Sequence, residues 1–530
     1  MAGDRGFRSS HGRRLASDPG WPMTSREDRS RRAGYPVSCR RAPFGAAAGA
    51  QEPPIRMNPA SPTGPRARTT LARRSPRRRA LTFGAAVLLV AGAQLETAAS
   101  PGMTAAASCP TSLQALVNAA PSRSVVTAPA CTYRETVTIN KPLTLRGYGA
   151  TISGKNAAGT TVRSAWVVVN ASDVTVEGFT MRDANNAAQT GAVKVKDGVN
   201  RFTLRACDLA YAAGANVAIG GANSSMVEDC AIHHAGQLGV HLGGDEPGGK
   251  NNVLRNNRIY ANNTAGFDPE WEAGGVKATV QTGLRFEGNT VYDNAGPGLW
   301  CDIYCRDIVV TGNRVHHNTH AGIFFEVSTG ATIRANKIWE NGWGKAVWGW
   351  GAGILISSSG GADVSDNIVA WNDAGISVIS QNRTDWSHSA TNNYVHDNTV
   401  IGESDRWLAF WAQDWDGALF DAASNNRGSG NRYWMNGPED GRWRFEWQGG
   451  KSTLAEFNAT PGEEGATYLS DAEKTSVLSG AGMPIARGAA RSPRSGISLA
   501  MATAVMAAFV AVVAVGWWAA RRFRVGGVSA

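Results

Sequence analysis

One short motif keeps returning along the middle of this chain: Asn, one residue, an aliphatic, a second Asn, then Gly followed by Ile, Leu or Phe. It stands in "LRNNRIYANNTAGF", "FEGNTVYDNAGPGLW", "VTGNRVHHNTHAGIF" and "VSDNIVAWNDAGIS". The first Asn falls at 257, 289, 313, 336, 367 and 398, and Cys207 and Cys230 fill the same slot in two earlier units. From 207 onward the intervals are 23, 27, 32, 24, 23, 31 and 31 residues. Short alternating segments at a period near 23, without helical periodicity, predict a parallel β-helix: an all-β solenoid in which each turn gives one strand to each of several parallel sheets. Turns then stack roughly 4.8 Å apart. The slot Asn stacks on itself, and its amide can satisfy turn backbone along the axis. The intervals of 31 and 32 are one turn plus an inserted loop.

The pattern also assigns faces, because side chains alternate along a strand. In "GIFFEVS", Ile323 and Phe325 point inward while Phe324 and Glu326 point outward. The same register turns out His241, Lys277, Thr279, Trp300, Asp302, Leu355 and Ser357, one above another on neighbouring turns. The long interval from Asn257 to Asn289 contains "FDPEWEAG", a loop that buds beside Lys277. It carries Asp268, Glu270, Trp271 and Glu272. A second insertion, "ENGWGKAVWGWGAG", brings Trp343, Trp348 and Trp350. The expectation is an open, solvent-facing groove along a stiff sheet, suited to a long polymer. Lys277, Asp302, Glu326 and His241 are its candidate catalytic groups. Trp271, Trp300, Phe324, Trp348 and Trp350 are candidate sugar-stacking platforms, and Asp268, Glu270 and Glu272 candidate metal ligands. Exposed charge and Trp that merely cover a repeat surface are the competing explanation.

The ends have a different composition. Residues 1–80 hold eighteen Arg against five acids, so a formal charge of +10 leaves the remainder near −3, and no basic face recommends nucleic acid. Residues 1–79 read as a disordered basic leader, and 80–107 as the apolar core and cleavage zone of an export signal. The β-helix is assigned to 108–470, a flexible stalk to 471–495, a transmembrane helix to the uncharged run 496–520, and a short cytoplasmic tail to 521–530. The expected product is an exported, monomeric ectodomain anchored in the cytoplasmic membrane by its C-terminus. Its partner would be an extracellular polysaccharide.

Outside the leader there are six cysteines, in a compartment where disulfides persist. Cys109 and Cys131 flank "TSLQALVNAA", where Thr111 and Gln114 suit a capping box; a short capping helix pinned by that bridge is predicted. Cys207 with Cys230 and Cys301 with Cys305 are candidate bridges, a buried thiol pair being the alternative for the first. Cys/His clusters with zinc spacing are absent from the sequence.

The overall pattern resembles the right-handed parallel β-helix superfamily of pectate lyases, polygalacturonases and related sugar-polymer enzymes, over about residues 109–470. "EWEAGGVK" is similar to the metal-and-base segment of the chondroitinase-B/alginate-lyase family. That resemblance implies calcium on Glu270 and Glu272 and a base at Lys277. The arginine that family carries on the following turn is not matched: "GLWCDIYC" offers Trp300 and Asp302. "GFDPE" resembles the Phe-Asp-Pro-His segment of mannuronan epimerases, with Glu270 in place of the histidine. Trp271–Lys277, Gly296–Asp302 and Gly322–Glu326 also match motifs shared by a group of bacterial β-helix proteins. Together these imply a lyase, epimerase or glycosidase acting on an extracellular glycan, with uronic-acid-containing polymers among the candidates. A silent glycan-binding or structural surface protein is the alternative.

Overall fold

The structure, a computed structural model, describes residues 109–244, 248–344, 348–381, 390–413 and 418–488. Parallel strands coil into three long sheets of 14, 13 and 13 strands, so each turn contributes one strand to each face of a three-sided prism. The pairing is in register from turn to turn: Val253, Arg285 and Val309 are successive partners in the first sheet, and Ile259, Val291 and Val315 in the second. In the third, Val276 pairs with Leu299, and Leu299 with Ile323.

The predicted slot explains how the corners hold. Asn289 Nδ2 donates to Leu254 O at 2.9 Å and to Asn313 Oδ1 at 3.0 Å, and Asn313 Oδ1 also accepts the Asn289 backbone N–H at 2.8 Å. Asn313, Asn336 and Asn367 repeat the arrangement. The ladder ends on a carboxylate, where Asn431 Nδ2 donates to Glu463 Oε2 at 2.8 Å. The second Asn of the motif builds a parallel ladder through Asn262, Asn294, Asn318, Asn341 and Asn372. The residue just before each slot is left-handed, including Asn256, Gly288, Gly312, Ala335 and Asp366, and that bend turns the corner. Inside, Leu254, Phe286, Val310 and Ile333 stack in one column of a continuous apolar core.

The helix Leu113–Ala119 covers the first turn and buries Leu113 and Val117. Cys109 and Cys131 are bridged across it, with Cα atoms 5.4 Å apart. Its cap is Ser112, whose side chain accepts from Ala115 N, rather than the expected Thr111. Gln114 is spent on Asn118 and on the Thr138 backbone. Glu135 supplies the anion at the helix start instead, taking the Leu113 N–H at 2.7 Å.

The other four cysteines are buried free thiols, so the two further bridges do not form. Cys207 and Cys230 do hold the Asn slot: Cys230 Sγ accepts from Cys207 N at 3.4 Å, and Cys230 N donates to Asn257 Oδ1 at 3.0 Å. Parallel stacked side chains suit such a ladder better than a cross-link. Burial pushes the Cys230 and Cys301 thiols well up.

The stalk assignment also needs correction at its start. Asp471–Ala481 is a helix with a Ser470/Glu473 capping box, docked on the second sheet through Leu478, Ala481 and Met483. Arg314 and Lys337 both donate to its last carbonyl, Ala481 O, at 3.0 Å, and Trp371 Nε1 donates to Pro484 O at 2.8 Å. Ordered structure thus extends past 470. Among the described residues no helix is long and apolar enough to cross a membrane. The leader, the export signal and the 496–520 run lie outside the described residues.

Candidate functional site

The outward columns of the third sheet form as the alternation predicts. His241 pairs with Lys277, Lys277 with Trp300, Trp300 with Phe324 and Phe324 with Leu355. Two residues along, Thr279 pairs with Asp302 and Glu326 with Ser357. One sheet face therefore brings His241, Lys277, Asp302 and Glu326 together with two aromatic rings.

Their chemistry is interlocked. Lys277 Nζ lies 3.0 Å from Asp302 Oδ2 and 3.7 Å from the centre of the Trp300 ring, and it donates to the Trp271 carbonyl. A carboxylate, an indole face and a carbonyl are all partners of an ammonium. Trp300 Nε1 donates to Glu326 Oε2 at 3.0 Å, and the Trp300 ring stacks on Phe324 at 5.3 Å.

The open groove is the expectation that fails. Lys277 is 8% exposed, Asp302 6%, Glu326 5% and Trp300 1%. The insertions placed as walls fold over the strip instead. Trp350 and Trp407 pack on a second apolar cluster, outside the coil, that contains Trp300, Phe324, Leu355 and Phe410. Trp300 and Phe324 are thus buried packing rather than exposed platforms, and Trp350 is half-buried against Phe324. Trp271 and Trp348 keep exposed rings. Trp348 stands farther along, edge-on to Phe410 at 5.1 Å.

His241 differs from its neighbours. It is half-buried, and its Nδ1 lies 2.8 Å from the Gln189 carbonyl oxygen. A carbonyl only accepts, so Nδ1 carries the proton and the neutral ring presents a lone pair at Nε2. Burial, with the Lys277 charge as a lesser cause, holds this imidazole below its usual range. Gln189 and Gln237 are partners that sequence reasoning missed. Their amides donate to Glu272 Oε2 at 3.1 and 2.7 Å, which ties the inserted loop back to His241. Neither lies in the repeat's conspicuous positions, and only the coil brings them there.

The three loop carboxylates do not converge. Glu272 is occupied by those two amides, while Asp268 folds its own turn, accepting from Glu270 N at 2.9 Å. Among the described residues no group of three or more His, Cys, Asp or Glu gathers as a metal site. With Glu272 held by two amides and Asp268 by its own turn, the loop does not present a converged oxygen donor set for calcium.

A family model described as a right handed beta helix region matches residues 190–355. The matched residues and the three parallel sheets agree on a parallel β-helix fold. No curated protein matches the chain's sequence. Among solved structures, the β-helix is similar to the A-module of the Azotobacter vinelandii mannuronan C-5 epimerase AlgE6. Identity there is 15% and the TM-score 0.48, over 67% of this chain and 94% of that one. The AlgE4 A-module of the same organism gives 12% and 0.41 over 67% and 94%. PfbA, a surface adhesin of Streptococcus pneumoniae, gives 11% and 0.38 over 61% and 86%. Likeness this distant concerns the coil, and leaves the chemistry of the β-helix to its own residues.

Proposed function

We propose that this β-helix is an exported, surface-held enzyme that transfers a proton on a uronate-containing polysaccharide, as a lyase or epimerase does. The observation that carries the reading is the pair on adjacent strands: a neutral, half-buried His241 with Nε2 unprotonated, beside the ammonium of Lys277. The proton next to a uronate carboxylate is removed more easily when a cation offsets that carboxylate, and a neutral imidazole is a suitable base. In this reading His241 takes the proton, and Lys277 exchanges part of its contact with Asp302 for the substrate carboxylate. Asp302 and Trp300 hold Lys277 in place. The sequence likeness of "EWEAGGVK" to uronate-acting lyases supports the same substrate class, although it assigned the base to Lys277.

A retained charge network outside the core also supports function. Burying an ion pair costs desolvation that apolar packing would avoid, and the solenoid does not need this one to close its turns. The closed state of Asp302 and Glu326 favours a second reading, a non-catalytic glycan-binding or structural surface protein. Incubation with a panel of uronic-acid and neutral polymers separates the two. Unsaturated ends or changed uronate configuration support the first. New saturated reducing ends would instead assign hydrolysis to Asp302 and Glu326. Products unchanged across the panel would leave only the second.

A further inference from the structure

The outer face of the third sheet continues well beyond Lys277. Leu355 pairs with Ser377, Ser377 with Phe410 and Phe410 with Glu446, so Glu446 stands six strands along the same column, roughly 29 Å away. There a cleft of about 470 Å³ opens, with Trp348 and Trp443 at its sides and Glu446, Gln413 and Gln448 among its polar lining. It lies outside the catalytic cluster, and nothing in the proposed reaction uses it.

Two features make it a binding site rather than a gap. Trp348 is 47% exposed and Trp443 61%, an unusual outlay of indole surface to water in one place. Trp443 is also held. Its ring lies over Gly450, where any Cβ would stand 2.1 Å from it, and the adjacent Arg444 is buried against Asp440 at 2.8 Å. The polar groups have capacity left. Glu446 Oε1 takes the Gly449 N–H at 2.5 Å, while Oε2 has no hydrogen bond among the described residues. Gln413 uses its oxygen on Leu419 N at 2.9 Å, leaving the amide N–H groups, and the Gln448 side chain is unpaired among the described residues.

Flat apolar rings beside a carboxylate and two amides match a ligand with an apolar C–H face and a rim of hydroxyls. The described lining contains the Glu446 carboxyl and no Lys or Arg, and the neighbouring Lys451 is engaged on the Gly449 carbonyl at 3.1 Å, so the cleft suits an uncharged sugar better than an acidic one. We propose that this cleft binds uncharged sugar units of a glycan, stacked on Trp348 and Trp443 with hydroxyls on Glu446, Gln413 and Gln448. A polymer lying along the sheet would then reach His241 and Lys277 with its acidic units. The proposal rests on the glycan reading but not on catalysis.

The test is titration of the full-length protein in detergent with cello-, xylo- and mannotriose and with trigalacturonate, followed by tryptophan fluorescence and calorimetry. Trisaccharides are too short to span both sites. The expected result is binding of at least one neutral trisaccharide, weakened at least tenfold by Trp443→Ala and restored largely by Trp443→Phe, with trigalacturonate bound at least tenfold more weakly. Absence of binding by every neutral trisaccharide, wild-type affinity in Trp443→Ala, or equal affinity for trigalacturonate would overturn it. Cleft binding without turnover on any polymer would spare this site and remove the catalytic reading. Turnover without cleft binding would do the reverse.

Discussion

Lys277 shows how a single side chain can be placed correctly by register and still be misjudged in character. Alternation put it on the outer face, between His241 and Trp300, and that is where it stands. Its burial came from the Trp271 carbonyl and from insertions whose path the repeat does not dictate. Because Asp302 is equally buried, Lys277→Met should destabilise the protein by about 3–5 kcal/mol by stranding a carboxylate. Lys277→Met with Asp302→Leu should recover much of that loss in denaturant unfolding; additive losses would show that the pair is not coupled. His241 makes a separate prediction about rate. Its folded-state pKa is depressed, so the neutral base persists to lower pH than a free imidazole allows. On an identified substrate, the acid limb of kcat/KM should therefore fall with an apparent pKa below about 6.5. A limb centred above that value would point to another base.

At the scale of elements, the Asn ladders and the strands were readable because both follow from strict repetition. A column of identical amides needs only the right spacing, and even the Cys207 and Cys230 exceptions keep the slot. What was not readable depends on long-range packing that lacks a period. The docking of Asp471–Ala481 on the second sheet is one case, since its Leu478 and Ala481 find their partners far back in sequence. The stack of Tyr260, Tyr292, His316 and Trp339 on that sheet's outer face is another, with rings 4.1 to 5.1 Å apart. The ladder itself can be tested. Asn336→Ala would take the amide donor from Val310 O and the acceptor from the Asn313 backbone N–H in a dry interior, while the Asn313 side chain keeps its bond to Phe286 O. A loss of about 2 kcal/mol or more is expected, at roughly 1 kcal/mol or more per stranded group. Native-state hydrogen exchange should show it concentrated in the turns on either side; a loss below about 0.5 kcal/mol would mean that water replaces the amide.

The described turns form a one-dimensional stack covered at its start by the disulfide-pinned helix Leu113–Ala119 and at its far end by Leu454–Asn458, whose Phe457 stacks on Phe445 at 4.9 Å. Its thiols report on that integrity. Cys207, Cys230, Cys301 and Cys305 should resist alkylation in the native protein and all react once it is unfolded without reductant; protection persisting after unfolding would mean bridges after all. The stack supplies a rigid face, and in the proposed chemistry His241 and Lys277 on that face move a proton on a uronate. The most direct measurement is incorporation of deuterium from heavy water beside the uronate carboxylate, followed by NMR on a panel of uronic-acid polymers. Incorporation, or unsaturated ends, is expected from the wild-type protein on at least one polymer, with a fall of about 100-fold or more in His241→Gln without loss of fold. Wild-type protein that exchanges no such proton on any polymer, or a His241→Gln variant that exchanges it at the wild-type rate, would contradict it.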